Sequence, residues 1–210
     1  MGDPIDEKPI ERPRLLVVEG KDELNFFDAL LNHMGILNDF DIRSAGGKDQ
    51  FPKKFRALKG VSGFNKVRIF ACIRDAEGTP ADSAFRSICD TLRTNGIDPP
   101  NGLGVISTAA PKAAIFISPD NHNPGMLEDL VLRIVENEPA MECVNPFIEC
   151  LSGLEKKPTN LSKSKVLAYL SAMPTDVNTL GVAAQQGYWD FNSPELTQMK
   201  EFLNMIHETI

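Results

Sequence analysis

Short runs of apolar residues alternate along the first half of the chain with segments whose apolar residues recur every three or four positions. The short runs are typical of buried strands, and the spaced positions are typical of amphipathic helices. Glycines follow several of the helical segments, as is common at helix ends. The pattern predicts strands at residues 15–18, 40–43 and 67–73, and helices at residues 24–34, 51–58 and 82–94.

Strand and helix alternate three times, which predicts crossover connections between parallel strands and helices on both faces of the sheet. A further strand is expected at residues 104–107, at 113–118 or at both, and the later pattern is helical. We therefore predict an α/β fold with a helical C-terminal extension. Its expected parts are a flexible N-terminal arm (1–13), an α/β core (14–120) and a mostly helical extension packed on that core (121–210).

The composition agrees with a folded protein that has a large apolar core. Of the 210 residues, 42% are hydrophobic and 24% are charged, close to the averages for soluble domains, which excludes general disorder. No apolar run is long enough to span a bilayer, and the polar N-terminus has no signal-peptide core, so we expect a cytoplasmic location and no membrane partner. The four cysteines have no CxxC spacing, so we expect free thiols and no zinc site.

Acidic residues follow two of the predicted strands. Glu19 comes directly after the first strand, and Asp75 and Glu77 follow the third. Ligands of parallel sheets bind beyond the carboxyl ends of the strands, so these carboxylates would share one crevice if the two strands are neighbours. A bound Mg²⁺ or Mn²⁺ would offset the repulsion among them. The alternatives are a helix-dipole partner for Glu19 and a solvated loop for Asp75 and Glu77.

Two segments resemble the motifs of Toprim domains. Leu16-Val17-Val18-Glu19-Gly20-Lys21-Asp22 resembles their glutamate motif, and the segment from Arg68 to Glu77 resembles their second motif, a strand followed by Asp-x-Asp. The resemblance covers the predicted core and implies a Rossmann-like sheet. It also implies a small standalone Toprim protein near the OLD-family nucleases and the 5S-ribosomal-RNA maturases. By this resemblance Glu19 is a general acid/base or metal ligand, Asp75 is the principal metal ligand, and Glu77 stands where the family usually has Asp.

A third acidic segment follows the last predicted strand. Glu128 and Asp129 stand at the start of a predicted helix. The nuclease branch of the Toprim family often has further acids after its last strand, where they support a second metal, and this pair resembles that arrangement. The alternative is that acids in a first helical turn stabilise the helix dipole.

A basic block lies between the two motifs. From Arg43 to Arg74 there are nine basic residues and one acid, Asp49, although the whole chain has a net charge of −7. The block would provide a path for a phosphate backbone, or it is a solvated helix face. Small residues in the turn after the second strand would let a phosphate approach the backbone. The residues predicted to bind phosphate or nucleic acid are Lys21, Gly46, Gly47, Lys48 and Lys165.

Two features of the C-terminal part have open interpretations. Lys165 would stabilise the charge of a phosphorane-like transition state, or it lies at the solvent edge of a helix. The aromatic group from Tyr188 to Phe191 would stack on a base, or it anchors a loop on the core.

Residues and resemblance together predict a Mg²⁺- or Mn²⁺-dependent phosphodiesterase that acts on DNA or RNA. Glu19, Asp75 and Glu77 would hold the catalytic metal, and Glu128 or Asp129 would support a second. The alternative is a non-catalytic Toprim-like module that binds nucleotide, nucleic acid or protein, which the glutamate at position 77 and the acidic net charge favour. Nucleotidyl transfer, as in primases, has only the shared metal motif in its favour. Whether the chain forms a homo-oligomer is left open.

Overall fold

The computed structural model describes residues 8–47 and 50–210. Within these ranges four parallel strands form one sheet in the order β2-β1-β3-β4. The first and third strands are therefore hydrogen-bonded neighbours, which is the condition under which the acids that follow them meet. The strands are β1 (Arg14–Val18), β2 (Phe40–Ser44), β3 (Ile69–Asp75) and β4 (Lys112–Ser118).

Helices connect the strands and make up most of the chain after residue 120. Among the described residues, α1, α2 and α3 follow β1, β2 and β3, and the other five follow β4. They are α1 (Lys21–His33), α2 (Phe51–Lys59), α3 (Ala81–Thr94), α4 (Leu127–Ile134), α5 (Met141–Ser152), α6 (Leu161–Leu170), α7 (Leu180–Gln185) and α8 (Thr197–Glu208). None of these helices combines the length and hydrophobicity needed to cross a bilayer.

The sheet separates two hydrophobic clusters because successive strand residues point to opposite faces. Leu16 and Ile73 pack on one face with α1 and the C-terminal helices. Leu15 and Cys72 pack on the other face with α2 and α3. Both faces of the sheet are thus covered by helices, which agrees with the near-continuous apolar strands of the sequence. The predicted α/β arrangement with a helical C-terminal part is confirmed.

The elements agree with the hydrophobic pattern except at two places. The strand before residue 120 is β4, whereas residues 104–107 contribute only an isolated antiparallel bridge from Ile106 to Ala114. Helix α7 was not predicted, because six residues are too short for a helical period to stand out. Its position depends instead on contacts with α1, which is distant in sequence.

Part of the predicted N-terminal arm, residues 1–7, lies outside the described residues. The described part packs on the α2–α3 side of the sheet. Ile10 is buried, and its backbone N–H donates to the carbonyl oxygen of Ser62 at 2.8 Å. The Arg43 side chain donates to the carbonyl oxygens of Lys8 and Pro9. The division of the chain at residues 13 and 120 stays a prediction.

Candidate functional site

The carboxyl ends of β1, β3 and β4 meet at one edge of the sheet. Asp75 is the last residue of β3, and Glu19 directly follows β1. Ser118, the last residue of β4, is the register partner of Asp75. Both lie on the α1 face of the sheet, in phase with Ile73 and Phe116 of the cluster there. The edge therefore places two polar side chains next to each other under the N-termini of α1 and α4.

Asp75 is a buried carboxyl group with acidic neighbours. It is 8% exposed, and its Oδ1 accepts a 3.1 Å hydrogen bond from the backbone N–H of Leu127 at the start of α4. Burial raises the pKa of Asp75 well above its ordinary range, and the negative charges of Glu19, Glu23 and Glu128 raise it further. We call Glu19, Glu23, Asp75 and Glu128 the carboxylate cluster.

Glu23 is a member of the cluster that the sequence analysis missed. It lies in the first turn of α1, four residues after Glu19. Burial raises the pKa of Glu23, and the charges of Glu19, Glu128 and Asp22 add to this effect. The signal in the sequence was the spacing of four residues, because one helical turn returns a side chain to the same side of the chain.

Cationic side chains flank the cluster on two sides. Arg74 Nε lies 3.9 Å from Glu19 Oε2, and both side chains are less than one fifth exposed. Lys163 Nζ lies 3.7 Å from Glu128 Oε1, and the lysine side chain is 64% exposed. These two pairs leave Asp75 and Glu23 without a printed cationic contact to offset their burial, which agrees with the raised pKa values of both.

Ser118 adds a hydroxyl group beside Asp75. The residue is 1% exposed, and within the described part of the chain its Oγ has no hydrogen-bond partner. Buried hydroxyl groups without a partner are uncommon because they lose hydrogen bonds to water and gain none in return. The position of Ser118 next to the cluster is therefore a second feature that the sequence pattern did not indicate.

Glu77 lies apart from the pairing that the sequence predicted for it. Its φ angle is +58°, and its backbone pairs with Gly125 through hydrogen bonds of 2.8 and 2.7 Å. Its side chain lines a polar pocket of about 590 Å³, together with Asp129 and Lys165. The charge of Glu77 is not among the causes of the raised pKa of Asp75. Asp75 and Glu77 thus face different surroundings although one residue separates them.

Asp129 has the structural role that the sequence analysis gave as its alternative. Its Oδ2 accepts a 2.7 Å hydrogen bond from the backbone N–H of Met126 at the N-terminus of α4, and its Oδ1 accepts the hydroxyl of Ser162 at 2.5 Å. Both oxygens therefore hold protein groups. Of the two acids at the start of α4, it is Glu128 that belongs to the carboxylate cluster.

The turn after β2 lies against the end of β1. Gly46 and Gly47 have φ angles of +73° and +99°, a conformation that favours glycine. The N–H of Gly47 donates to the carbonyl oxygen of Glu19 at 2.9 Å, which places the turn beside the cluster. Lys48, which was predicted to bind phosphate here, lies outside the described residues. Lys21 is exposed at the start of α1.

The basic block is part helix face and part framework. On α2, which contains no acidic residue, Lys53, Arg56 and Lys59 are exposed. Arg43 is 6% exposed and forms a 3.0 Å ion pair with Asp41. Only the α2 part of the block therefore presents cations to solvent next to the glycine turn.

The aromatic group near residue 190 belongs to the core, so its interpretation as a base-stacking surface is wrong. Trp189 is 2% exposed, and its ring stacks on Tyr169 with centroids 5.7 Å apart. Its indole N–H donates to the carbonyl oxygen of Leu180 at 2.9 Å. The group anchors α7 on α6, which was the alternative interpretation.

The described residues contain no group of three or more His, Cys, Asp or Glu side chains spaced to hold a metal ion between them. The chemistry of the donors nevertheless suits a hard cation, since the cluster offers buried carboxylates and the Ser118 hydroxyl. Mg²⁺ in particular keeps several waters and is commonly held by one or two carboxylates together with substrate phosphates. The arrangement therefore fits a partly hydrated cation on Asp75 and a neighbouring glutamate.

Comparison with known proteins matches residues 13–208 to the family described as "Protein of unknown function (DUF3226)". No curated protein matches the chain. The C-terminal region of the Burkholderia pseudomallei OLD protein is similar in structure, with a TM-score of 0.50 and 13% identity over 95% of this chain and 98% of that one. That of the Xanthomonas campestris pv. campestris OLD protein has a TM-score of 0.47 and 14% identity over 93% and 97%. The first likeness shows the fold and confirms the predicted fold class.

Proposed function

The chain belongs to the DUF3226 family, and we propose that it is a Mg²⁺- or Mn²⁺-dependent phosphodiesterase that cleaves nucleic acid. The observation that carries this proposal is the carboxylate cluster at the carboxyl edge of the sheet. Burial and mutual repulsion raise the pKa values of Asp75 and Glu23. A group of acids held at such a cost is common at functional sites. The Toprim-like motifs that end in Glu19 and Asp75 support the same interpretation.

Asp75 and Glu19 would hold the cation, with Glu23, Glu128 and the Ser118 hydroxyl beside them. When bound, the cation would offset the negative charge of the cluster and of a substrate phosphate and would lower the pKa of a bound water. The Leu127 N–H fixes the carboxylate of Asp75 in position. Arg74 holds the carboxylate of Glu19 from the other side.

Glu19 is the residue we assign to proton transfer. Its side chain is 17% exposed, so it can reach a water at the open edge of the cluster, whereas Asp75 is more deeply buried. A positioned carboxylate that accepts a proton from the attacking water is a form of general base catalysis. Lys165 lines the neighbouring polar pocket with Glu77 and would stabilise negative charge on the phosphate from that side.

The nucleic-acid backbone would approach over the glycine turn and α2. Gly46 and Gly47 leave room for a phosphate next to Glu19, because they carry no side chain. The exposed cations of α2, Lys53, Arg56 and Lys59, continue from this turn. Binding through such phosphate contacts weakens as salt concentration rises.

A second candidate function is a non-catalytic module that binds nucleotide or nucleic acid. The observation that favours it is the position of Glu77, whose side chain lines a pocket separate from the carboxylate cluster. In this alternative the cluster binds a cation and a phosphate without cleaving a bond. Turnover separates the two functions, since both predict that the cation binds.

The test is cleavage of labelled single- and double-stranded DNA and RNA in Mg²⁺, Mn²⁺ or EDTA. Glu19→Gln and Asp75→Asn keep the shape of each side chain and remove its charge. Asp82→Asn is the matched control, because Asp82 lies on α3 with its side chain 75% exposed. We expect metal-dependent cleavage by the wild type and Asp82→Asn that is lost in the other two variants.

Two results would decide against this proposal. Cleavage that persists in both Glu19→Gln and Asp75→Asn would show that the activity comes from another site or another protein. Absence of cleavage on all four substrates, together with a cation-dependent rise in melting temperature, would favour the non-catalytic module.

A further inference from the structure

A pocket of about 500 Å³ opens beside the carboxylate cluster, between α1, α6 and α7. Glu128 contributes to both, so the pocket is continuous with the cluster. We call it the α7 pocket. Its volume lies within the range of pockets that hold small organic ligands. The lining residues that matter here are Lys21, Asn25, Lys163, Val166, Asn178 and Val182.

The charged groups of the α7 pocket favour an anionic ligand. Lys21 and Lys163 are exposed at its rim. Asp22 also lines it, but its two carboxylate oxygens accept the backbone N–H groups of Leu180 and Gly181 at 3.1 and 2.6 Å. Glu128 faces Lys163 at 3.7 Å and belongs to the cluster. With a cation on the cluster, the two lysines are the charges left to meet a ligand.

The rest of the lining suits a base and a sugar. Val166 and Val182 form an apolar wall, and Asn25 and Asn178 supply amide groups that both donate and accept hydrogen bonds. The apolar groove between α5 and α6, with a volume of about 680 Å³, differs in that none of its lining residues is charged. The combination of cations, amides and an apolar wall therefore singles out the α7 pocket.

We propose that the α7 pocket binds one nucleotide unit, with its phosphate toward Lys163 and the carboxylate cluster and its base against Val166 and Val182. This inference rests on the proposed function, because it places the nucleotide next to the phosphate that the cluster would cut. The same chemistry is offered by a free mononucleotide and by the end of a strand, and the experiment below separates them.

Trp189 provides a built-in reporter of this pocket. It is the single tryptophan of the chain, and its indole N–H bonds to the carbonyl oxygen of Leu180, which lines the pocket. The experiment titrates the full chain with deoxyadenosine 5′-monophosphate, with a trinucleotide and with inorganic phosphate, while Trp189 fluorescence is recorded. Ca²⁺ replaces Mg²⁺ so that binding is observed without turnover.

Two variants and a control test the location. Val182→Phe fills the pocket, and Lys163→Met removes a cation from an exposed position, so it leaves the core unchanged. Ala172→Phe is the control, because Ala172 is exposed in the apolar α5–α6 groove. We expect both pocket variants to bind the mononucleotide about tenfold more weakly, the typical effect of losing one charged hydrogen bond or the space for the ligand, and the control to be unchanged.

The inference is overturned if inorganic phosphate binds as tightly as the mononucleotide, or if Val182→Phe and Lys163→Met bind it as the wild type does. Tighter binding of the trinucleotide than of the mononucleotide, lost in the same variants, assigns the pocket to the end of a strand. Cleavage with the full activity of the wild type in both variants, without mononucleotide binding, refutes the pocket and leaves the nuclease proposal intact. Mononucleotide binding without any cleavage has the opposite meaning.

Discussion

The backbone N–H of Gly181 donates a 2.6 Å hydrogen bond to the carboxylate of Asp22. The bond joins the N-terminus of α7 to the first turn of α1, the same turn that carries Glu23 of the carboxylate cluster. The two helices approach so closely that a Cβ atom at position 181 would lie 2.3 Å from the carbonyl oxygen of Asp22. A residue more than 150 positions away in the sequence thus fixes the backbone next to the candidate site.

Gly181→Ala is expected to destabilise the chain. A Cβ–O distance of 2.3 Å is impossible without movement, and the atom it meets belongs to the backbone, so α7 must shift away from α1. Overpacking of this kind costs about 1–3 kcal/mol of unfolding free energy. The measurement is urea denaturation of the purified variant, with the midpoint compared with that of the wild type.

Gly78→Ala is the control for this substitution, because nothing lies within 4 Å of a Cβ atom at position 78. It should unfold at nearly the wild-type urea concentration. Equal midpoints for Gly181→Ala and the wild type would show that α7 does not pack against α1 as closely as described.

Asp75→Asn is expected to stabilise the metal-free chain while it removes the response to metal. Asparagine keeps an oxygen that can accept the Leu127 N–H bond, and it removes a negative charge that is buried beside three other carboxylates. We expect the melting temperature in EDTA to rise by a few degrees and the increase caused by Mn²⁺ to disappear. Differential scanning calorimetry in both buffers measures this, and a variant less stable than the wild type in EDTA would contradict it.

The fold could be predicted from sequence because its signals are local. The apolar runs of β1 and β3 and the spaced apolar residues of α1 and α3 each indicate one element, and their alternation favours parallel pairing. The strand order follows from which helix covers which face, and the pattern left it as a condition. Helix α7 is the element that failed, since Asp22 and the core around Trp189 position it.

The candidate site was predictable only as far as backbone position decides it. Glu19 and Asp75 end neighbouring strands, so their meeting follows from topology. The direction of a side chain beyond a strand depends on individual backbone angles, and the positive φ of Glu77 lies at a point that no hydrophobic pattern reports. The choice between Glu128 and Asp129 depends likewise on which of them caps α4.

The stability of the metal-free chain is expected to fall as pH rises above about 4. Burial and neighbouring carboxylates raise the pKa values of Asp75 and Glu23 above their ordinary values of 3.8 and 4.5. Between the ordinary and the raised values the folded chain binds more protons than the unfolded chain, so each step upward in pH favours unfolding. This contribution is present in full below the ordinary pKa values and is lost as pH passes through the raised ones. Urea midpoints measured in EDTA across this range test it.

The double variant Asp75→Asn and Glu23→Gln is the control for the pH dependence, since it lacks both titrating groups. Its urea midpoint in EDTA should change less with pH than that of the wild type over the same range. Parallel curves for the two proteins would contradict the assignment of the pH dependence to the carboxylate cluster.

Glu23→Gln tests the member of the cluster that the sequence pattern did not reveal. Glutamine preserves the side-chain shape and removes a charge next to Glu19 and Glu128, so we expect weaker binding of Mn²⁺, by about 10–100-fold, as for residues that support metal ligands. Asp28→Asn on the same helix is the control, because no carboxylate charge contributes to the raised pKa of Asp28. Isothermal titration with Mn²⁺ measures both. If Glu23→Gln binds Mn²⁺ as tightly as Asp28→Asn, Glu23 only lies near the cation site and does not help to form it.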